Sequence, residues 1–269
     1  MAKFNAADFV ISKAKPLPII LLLDTSGTMG YDRKIETLNK AVRDMLGSLK
    51  REETLASEYL MSIITFGNGG VTEVTNGPTS ASKLEYTDLT AGGMTPLGGA
   101  LDVARAIVED KEKTPSRAYR PLVVLICDGM PNDDWQGRLE RFISEGRTAK
   151  CDRMALAVGC NEGSAEWAML ERFVAGTEHS VQLAETADQI YKFFAFVTMS
   201  VVQRASSQNP NEVPKDAAVL KAAREAAQLP APAVGQLPAP ADDDVIELEA
   251  IPVEPDDDDS EDGFKFSWR

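Results

Sequence analysis

Apolar positions fall into two kinds of pattern over the first 207 residues. Short runs that are apolar on both faces, PIILLLD (18–24), YLMSIITF (59–66), PLVVLICD (121–128) and MALAVGC (154–160), read as buried parallel strands. Longer stretches between them carry apolar residues at helical spacing. In 33–50, Ile35, Leu38, Val42, Met45, Leu46 and Leu49 share one stripe. Further helices are expected over 96–112, 135–147 and 165–175. A last one starts near Thr186, with Ile190, Phe193, Phe194, Val197 and Val201 as its core face. A more polar strand at 71–75 follows the turn GNGG (67–70) and reads as an antiparallel edge, and a short strand is expected at 180–183. Strands alternating with helices predict an α/β fold. Its central sheet is mainly parallel, with helices on both faces, right-handed crossovers and one antiparallel edge strand.

The pattern stops after about Ser207. Residues 209–244 repeat Pro-Ala and end in a run of Asp, a composition that buries too little apolar surface to offset its ordering entropy. The organisation expected is an N-terminal extension (1–15), one folded domain (16–207) and a flexible, disordered acidic tail (208–269). Two apolar patches interrupt the tail: VIELEAIPV (245–253) and FKFSWR (264–269). Phe264, Phe266 and Trp268 are candidate anchors for a partner, because a terminal aromatic with no core in reach suits a docking peptide.

Charge narrows the partner class. Of the net charge of -14, residues 205–269 hold -10, with 15 acids against 5 bases. No basic footprint for nucleic acid is present. No apolar run reaches the ~18 residues of a membrane span. Asp8 interrupts any secretory core in the first 20 residues, so a cytoplasmic location is the expectation. Three cysteines, Cys127, Cys151 and Cys160, argue against a disulfide framework. Cys127 and Cys160 end apolar strands and should be buried, whereas Cys151 falls in a loop where exposure stays open.

In parallel sheets ligands bind beyond the carboxyl ends of the strands. There the sequence sets Asp24-Thr25-Ser26-Gly27-Thr28, then Thr95 in AGGMTPLGGAL (91–101), then Asp128-Gly129. Two carboxylates and three hydroxyls form an all-oxygen set, which suits Mg²⁺, or Mn²⁺, and disfavours zinc or copper. Asp24, Ser26 and Thr28 alternate along one side of an extended turn. Structural alternatives stand beside this reading. Ser26 or Thr28 is a possible helix cap, Thr95 before Pro96 is a favourable N-cap, and both aspartates suit turns. Asp32, Asp133 and Asp134 read as outer-shell charge or as solvated acids at helix starts.

DTSGT, the Thr of GGMTPL and the CDGMP after an apolar strand resemble the metal-ion-dependent adhesion site of von Willebrand factor A (vWA) domains. The resemblance covers about residues 16–205. It implies a Rossmann-like α/β sandwich in which Asp24, Ser26, Thr28, Thr95 and Asp128 hold the metal, the aspartates directly or through water. LLLDTSGTM, GGMTPLGGAL and CDGMPND are most similar to bacterial tellurite-resistance-associated vWA proteins. That likeness implies a stress-response or phage-defence setting beside Ser/Thr kinases and PP2C-type phosphatases. The function it implies is non-enzymatic: the metal captures an Asp or Glu of a partner protein. An alternative is a regulatory component or substrate of kinase/phosphatase signalling, with Thr186, Ser206, Ser207 or Ser260 as acceptors. A metal-dependent hydrolase is the weakest reading, because no general base or nucleophile sits beside the ion. An aspartic protease needs a second Asp-Thr/Ser-Gly, a haloacid-dehalogenase phosphatase needs an acid where Ser26 stands, and GGMTPLGG lacks the Lys of a phosphate loop. His179 receives no catalytic role.

Overall fold

The computed structural model describes residues 15–54, 57–207, 209 and 211. The tail patches at 245–253 and 264–269, including Phe264, Phe266 and Trp268, lie outside the described residues, as do most of 1–15. The elements run β1 (Pro16–Thr25), α1 (Lys34–Glu52), β2 (Glu58–Gly67), β3 (Gly70–Glu73), β4 (Thr79–Ser80), α2 (Leu97–Glu109), β5 (Leu122–Cys127), α3 (Gln136–Ser144), β6 (Asp152–Val158), α4 (Ala165–Val174), β7 (Gln182–Ala184) and α5 (Ala187–Ser206). The strands form one sheet in the order β3-β2-β1-β5-β6-β7, with β4 also paired to β2. β1, β2, β5, β6 and β7 are parallel, while β3 and β4 run antiparallel along successive parts of β2. The expected single edge strand is therefore continued by a second short piece, whose two residues carry no hydrophobic signal.

All ten residues of β1 are buried because both faces of the sheet are covered. Leu17, Ile19, Leu21 and Leu23 alternate towards the core under α1 and α5, and Ile20 and Leu22 towards the core under α2, α3 and α4. β1 lies between β2 and β5, so the chain leaves its carboxyl end in one direction and returns on the other side. That is the switch point where a crevice opens.

At the opposite edge, buried charges are paired. His179 Nε2 lies 3.1 Å from Asp152 Oδ2, with Arg204 Nη1 3.7 Å from the same oxygen. Arg204 Nη2 also donates to the Arg120 carbonyl at 2.8 Å, tying the end of α5 to the start of β5. Arg153 donates to the Phe173 and Ala175 carbonyls at 2.7 Å each and so satisfies the end of α4. His179 is thus a structural group. Cys127, Cys151 and Cys160 are free thiols and all buried, so Cys151 sits under its loop rather than on the surface.

Helix α2 carries two glycines, Gly98 and Gly99, in its first turn for a packing reason. Asp133 accepts the Gly98 and Gly99 amide N–H groups on its two carboxylate oxygens, both at 3.0 Å. A Cβ on Gly98 would lie 2.8 Å from the Asp134 carbonyl and 2.9 Å from Asp133 Oδ2. Gly98→Ala should therefore destabilise the domain by about 1–3 kcal/mol in urea unfolding. A gain of stability, as ordinary helix propensity predicts, would show that the Asp133 cap yields without loss.

Candidate metal centre

β1 carries Asp24 to the carboxyl edge of the sheet and buries it completely. Its Oδ1 accepts the Ser26 N–H at 2.7 Å. Its Oδ2 faces the next strand, where the Cys127 thiol lies at 3.3 Å and the Asp128 N–H at 3.4 Å. Burial pushes the Asp24 carboxyl up to about 6, against the hydrogen bonds from Ser26; the Asp128 charge adds to the rise. Burial likewise holds the Cys127 thiol well above its ordinary range.

The hydroxyls converge on the second aspartate. Thr28 Oγ1 donates to Asp128 Oδ1 at 2.7 Å, Ser26 Oγ lies 3.4 Å from the same oxygen, and the two hydroxyls are 3.0 Å apart. These three oxygens form a triangle whose edges resemble those of one octahedral face. Ligand oxygens ~2.0–2.1 Å from Mg²⁺ sit ~2.9 Å from their neighbours. Among the described residues no group of three or more His, Cys, Asp or Glu could hold a metal, so hydroxyls are essential to any cation site here. The donor set is all oxygen and fits a hard dication.

Thr95 reaches this rim on a third loop that backbone bonds stitch into place. The Thr25 carbonyl accepts the N–H groups of Asn68 (3.2 Å) and Gly92 (2.8 Å), and Gly27 N–H donates to Gly93 O at 3.1 Å. Gly67 makes this closeness possible, since a Cβ there would lie 2.2 Å from the Thr25 carbonyl carbon. Thr95 is clamped to the β5 loop as well: its N–H donates to Asn132 Oδ1, and its carbonyl accepts the Asn132 N–H, both at 3.2 Å. Thr95 makes these bonds through its backbone N–H and carbonyl; the structure brings Asp24, Ser26, Thr28 and Asp128 into one hydrogen-bonded cluster and sets Thr95 on the neighbouring loop.

The capping alternatives fare poorly. Ser26 precedes a 3-10 turn (Gly27–Gly30) without a side-chain cap bond, and Pro96, not Thr95, holds the cap position of α2. Asp133 takes the cap's place from across the sequence. Thr186, considered above as a phosphate acceptor, caps α5 by accepting the Gln189 N–H. One site residue escaped the sequence reading. Lys34 Nζ donates to Asp128 Oδ2 at 3.0 Å. Its only sequence signal is a cation at the start of a helix, where the dipole disfavours it.

Residues 19–130 match the family model described as von Willebrand factor type A domain. A stretch of 115 residues, 41% of this chain, is 32% identical to an uncharacterized protein of Mycobacterium tuberculosis, of which it spans 17%. The fold is similar to a von Willebrand factor type A structure from Catenulispora acidiphila (TM-score 0.53, 16% identity, 70% of this chain and 43% of that chain). It is also similar to the pilus adhesin SpaC of Lactobacillus rhamnosus GG (0.55, 13%, 71% and 30%) and the PilB minor pilin of Streptococcus sanguinis (0.52, 14%, 71% and 62%). The chain spans less than two thirds of each of these relatives. Over residues 19–130 the chain is thus similar to von Willebrand factor type A domains, and the fold of the described residues is similar to theirs. Among the described residues no helix is long and apolar enough to cross a membrane.

Burial makes the ionised form of Asp24 the one the fold disfavours, above its raised pKa of about 6. With chelator present, Asp24→Asn removes that charge and keeps an oxygen for the Ser26 N–H. It should melt no lower than wild type at neutral pH, and its advantage should shrink as the pH falls below about 6 and the wild-type carboxyl gains its proton. A melting temperature lower by more than about 4 °C at neutral pH would show that the carboxylate itself holds the loops together.

Proposed function

We propose that the domain is a non-enzymatic, metal-dependent protein-interaction module. The triangle of Ser26 Oγ, Thr28 Oγ1 and Asp128 Oδ1 supports this most directly. Ser26, Thr28 and Thr95, with Asp24 and Asp128 directly or through water, would hold Mg²⁺, or Mn²⁺. A bound dication supplies a Lewis-acidic point that accepts a carboxylate oxygen from an Asp or Glu of a partner.

This chain's residues prepare that encounter. Asp24 stays beneath the loops and fixes the Ser26 amide. Ser26 and Thr28 add oxygens without charge, so two carboxylates do not over-neutralise a dication. Among the described residues, neither Cys127 nor His179 offers a general base at the rim. The Cys127 thiol is buried and held protonated, and His179 lies on Asp152 at the opposite edge of the sheet.

The partner belongs, on this reading, to a bacterial stress-response, tellurite-resistance or phage-defence complex. The patches at 245–253 and 264–269 give it a second attachment.

Titration with Mg²⁺ or Mn²⁺ should raise the melting temperature, by about 2.7 kcal/mol of stability at a hundredfold excess over Kd. Asp24→Ala and Asp128→Ala should abolish this shift and the binding heat while leaving the circular dichroism unchanged. A wild-type domain that is folded yet gives neither heat nor shift would overturn the reading.

A further inference from the structure

Lys34 sits where two local penalties meet. It is the first residue of α1, where the helix dipole disfavours a cation. The two residues before it, Asp32 (φ 53°) and Arg33 (φ 57°), are both left-handed without being glycine, a conformation retained only where the surroundings enforce it. The result is a lysine whose side chain is only 20% exposed. It passes the end of β6, with its ammonium 3.5 Å from where a Gly159 side chain would begin. It ends on Asp128 Oδ2, whose side chain is fully buried. The other oxygen of that carboxylate, Oδ1, belongs to the triangle with Ser26 and Thr28. Lys34 therefore grips Asp128 from behind and leaves its front oxygen to the site.

We propose that Lys34 is a positioning residue of the cation site: it orients Asp128 and offsets its charge, weakening the hold on the dication while strengthening the hold of the loaded site on an outside carboxylate. The charges give the reason. Asp24, Asp128 and Lys34 together carry one negative charge, so a dication leaves one positive charge over. Without Lys34 the two carboxylates and the dication cancel, and an incoming acid meets a neutral centre. An ammonium a few ångströms away also repels the dication. The two effects have opposite signs, which a purely structural ion pair does not produce.

The inference rests on the metal reading above, and one experiment separates them. Mn²⁺ binding is measured by electron paramagnetic resonance. Acetate binding to the Mn²⁺-loaded protein is measured by broadening of the acetate methyl resonance, for wild type, Lys34→Met and Lys34→Arg. Lys34→Met should bind Mn²⁺ about tenfold more tightly and acetate about threefold more weakly. Lys34→Arg keeps the charge and should stay within about twofold of wild type in both. If wild type binds no Mn²⁺, the metal reading fails and this inference with it. If wild type binds Mn²⁺ but Lys34→Met leaves both affinities unchanged or lowers both, Lys34 is structural and only this inference falls. Should Lys34→Met not fold, Lys34→Arg decides: retention of both affinities supports the charge argument, and loss of either overturns it.

Discussion

A buried aspartate side chain with its two oxygens turned to different strands orders the carboxyl edge of this sheet. Asp24 Oδ1 closes the β1 turn on the Ser26 amide, and Oδ2 faces the Cys127 thiol and the Asp128 amide at the end of β5. Burying an ion is unfavourable unless its lone pairs are met; donors from both strand ends offset that cost only in part, and the carboxyl stays raised to about 6. The position of every hydroxyl in the cluster follows from this. With the Ser26 amide held, Ser26 and Thr28 point along one side of the turn. With the Asp128 amide held, its carboxylate faces them. The loop that carries Thr95 is then closed onto the same turn by the Thr25 carbonyl and the Gly27 amide.

The rest of the fold makes that edge rigid. β1 is covered on both faces by apolar layers, so neither its length nor its register can shift without exposing core. A one-residue slip would turn Asp24 towards the opposite face and carry Ile20 and Leu22 with it. The network of Asp152, His179 and Arg204 anchors the far end of β6 and α5, well away from the oxygen cluster. Stability and candidate chemistry thus occupy opposite ends of the same strands. A loss of site function on substitution at the carboxyl edge can in consequence leave the core intact.

Much of this was legible in the sequence because the signals were redundant. A strand buried on both faces needs a continuous apolar run, and 18–24 and 121–128 have no other economical reading. The oxygen-bearing residues were found because they follow such runs. What escaped was set by distance or by small size. The pairing of Lys34 with Asp128 spans 94 positions and has no periodicity. Asp133 looks like any solvated acid at a helix start until its carboxylate is seen on the amides of Gly98 and Gly99. The Thr95-Pro96 pair read as a cap because local chemistry favours one, yet a tertiary carboxylate supplied it instead. Cys151 is covered by packing that no local pattern announces, and β4 is only two residues long.

The charge around the rim constrains any partner more than the cluster alone does. Asp32, Asp134, Glu162, Glu185 and Asp188 are exposed in segments that follow parallel strands, and so crowd the same edge. Each also sits near a helix N-terminus, where an acid is locally favourable, so helix stability accounts for their presence. Their sum still produces a negative field that an acidic surface meets before it reaches the centre. Such a border favours, for any single carboxylate that reaches the centre, a surrounding surface that is itself neutral or basic. Selectivity on this view comes from two scales of charge: a local positive surplus that asks for one acid, and a wider negative border that turns away surfaces made mostly of acids.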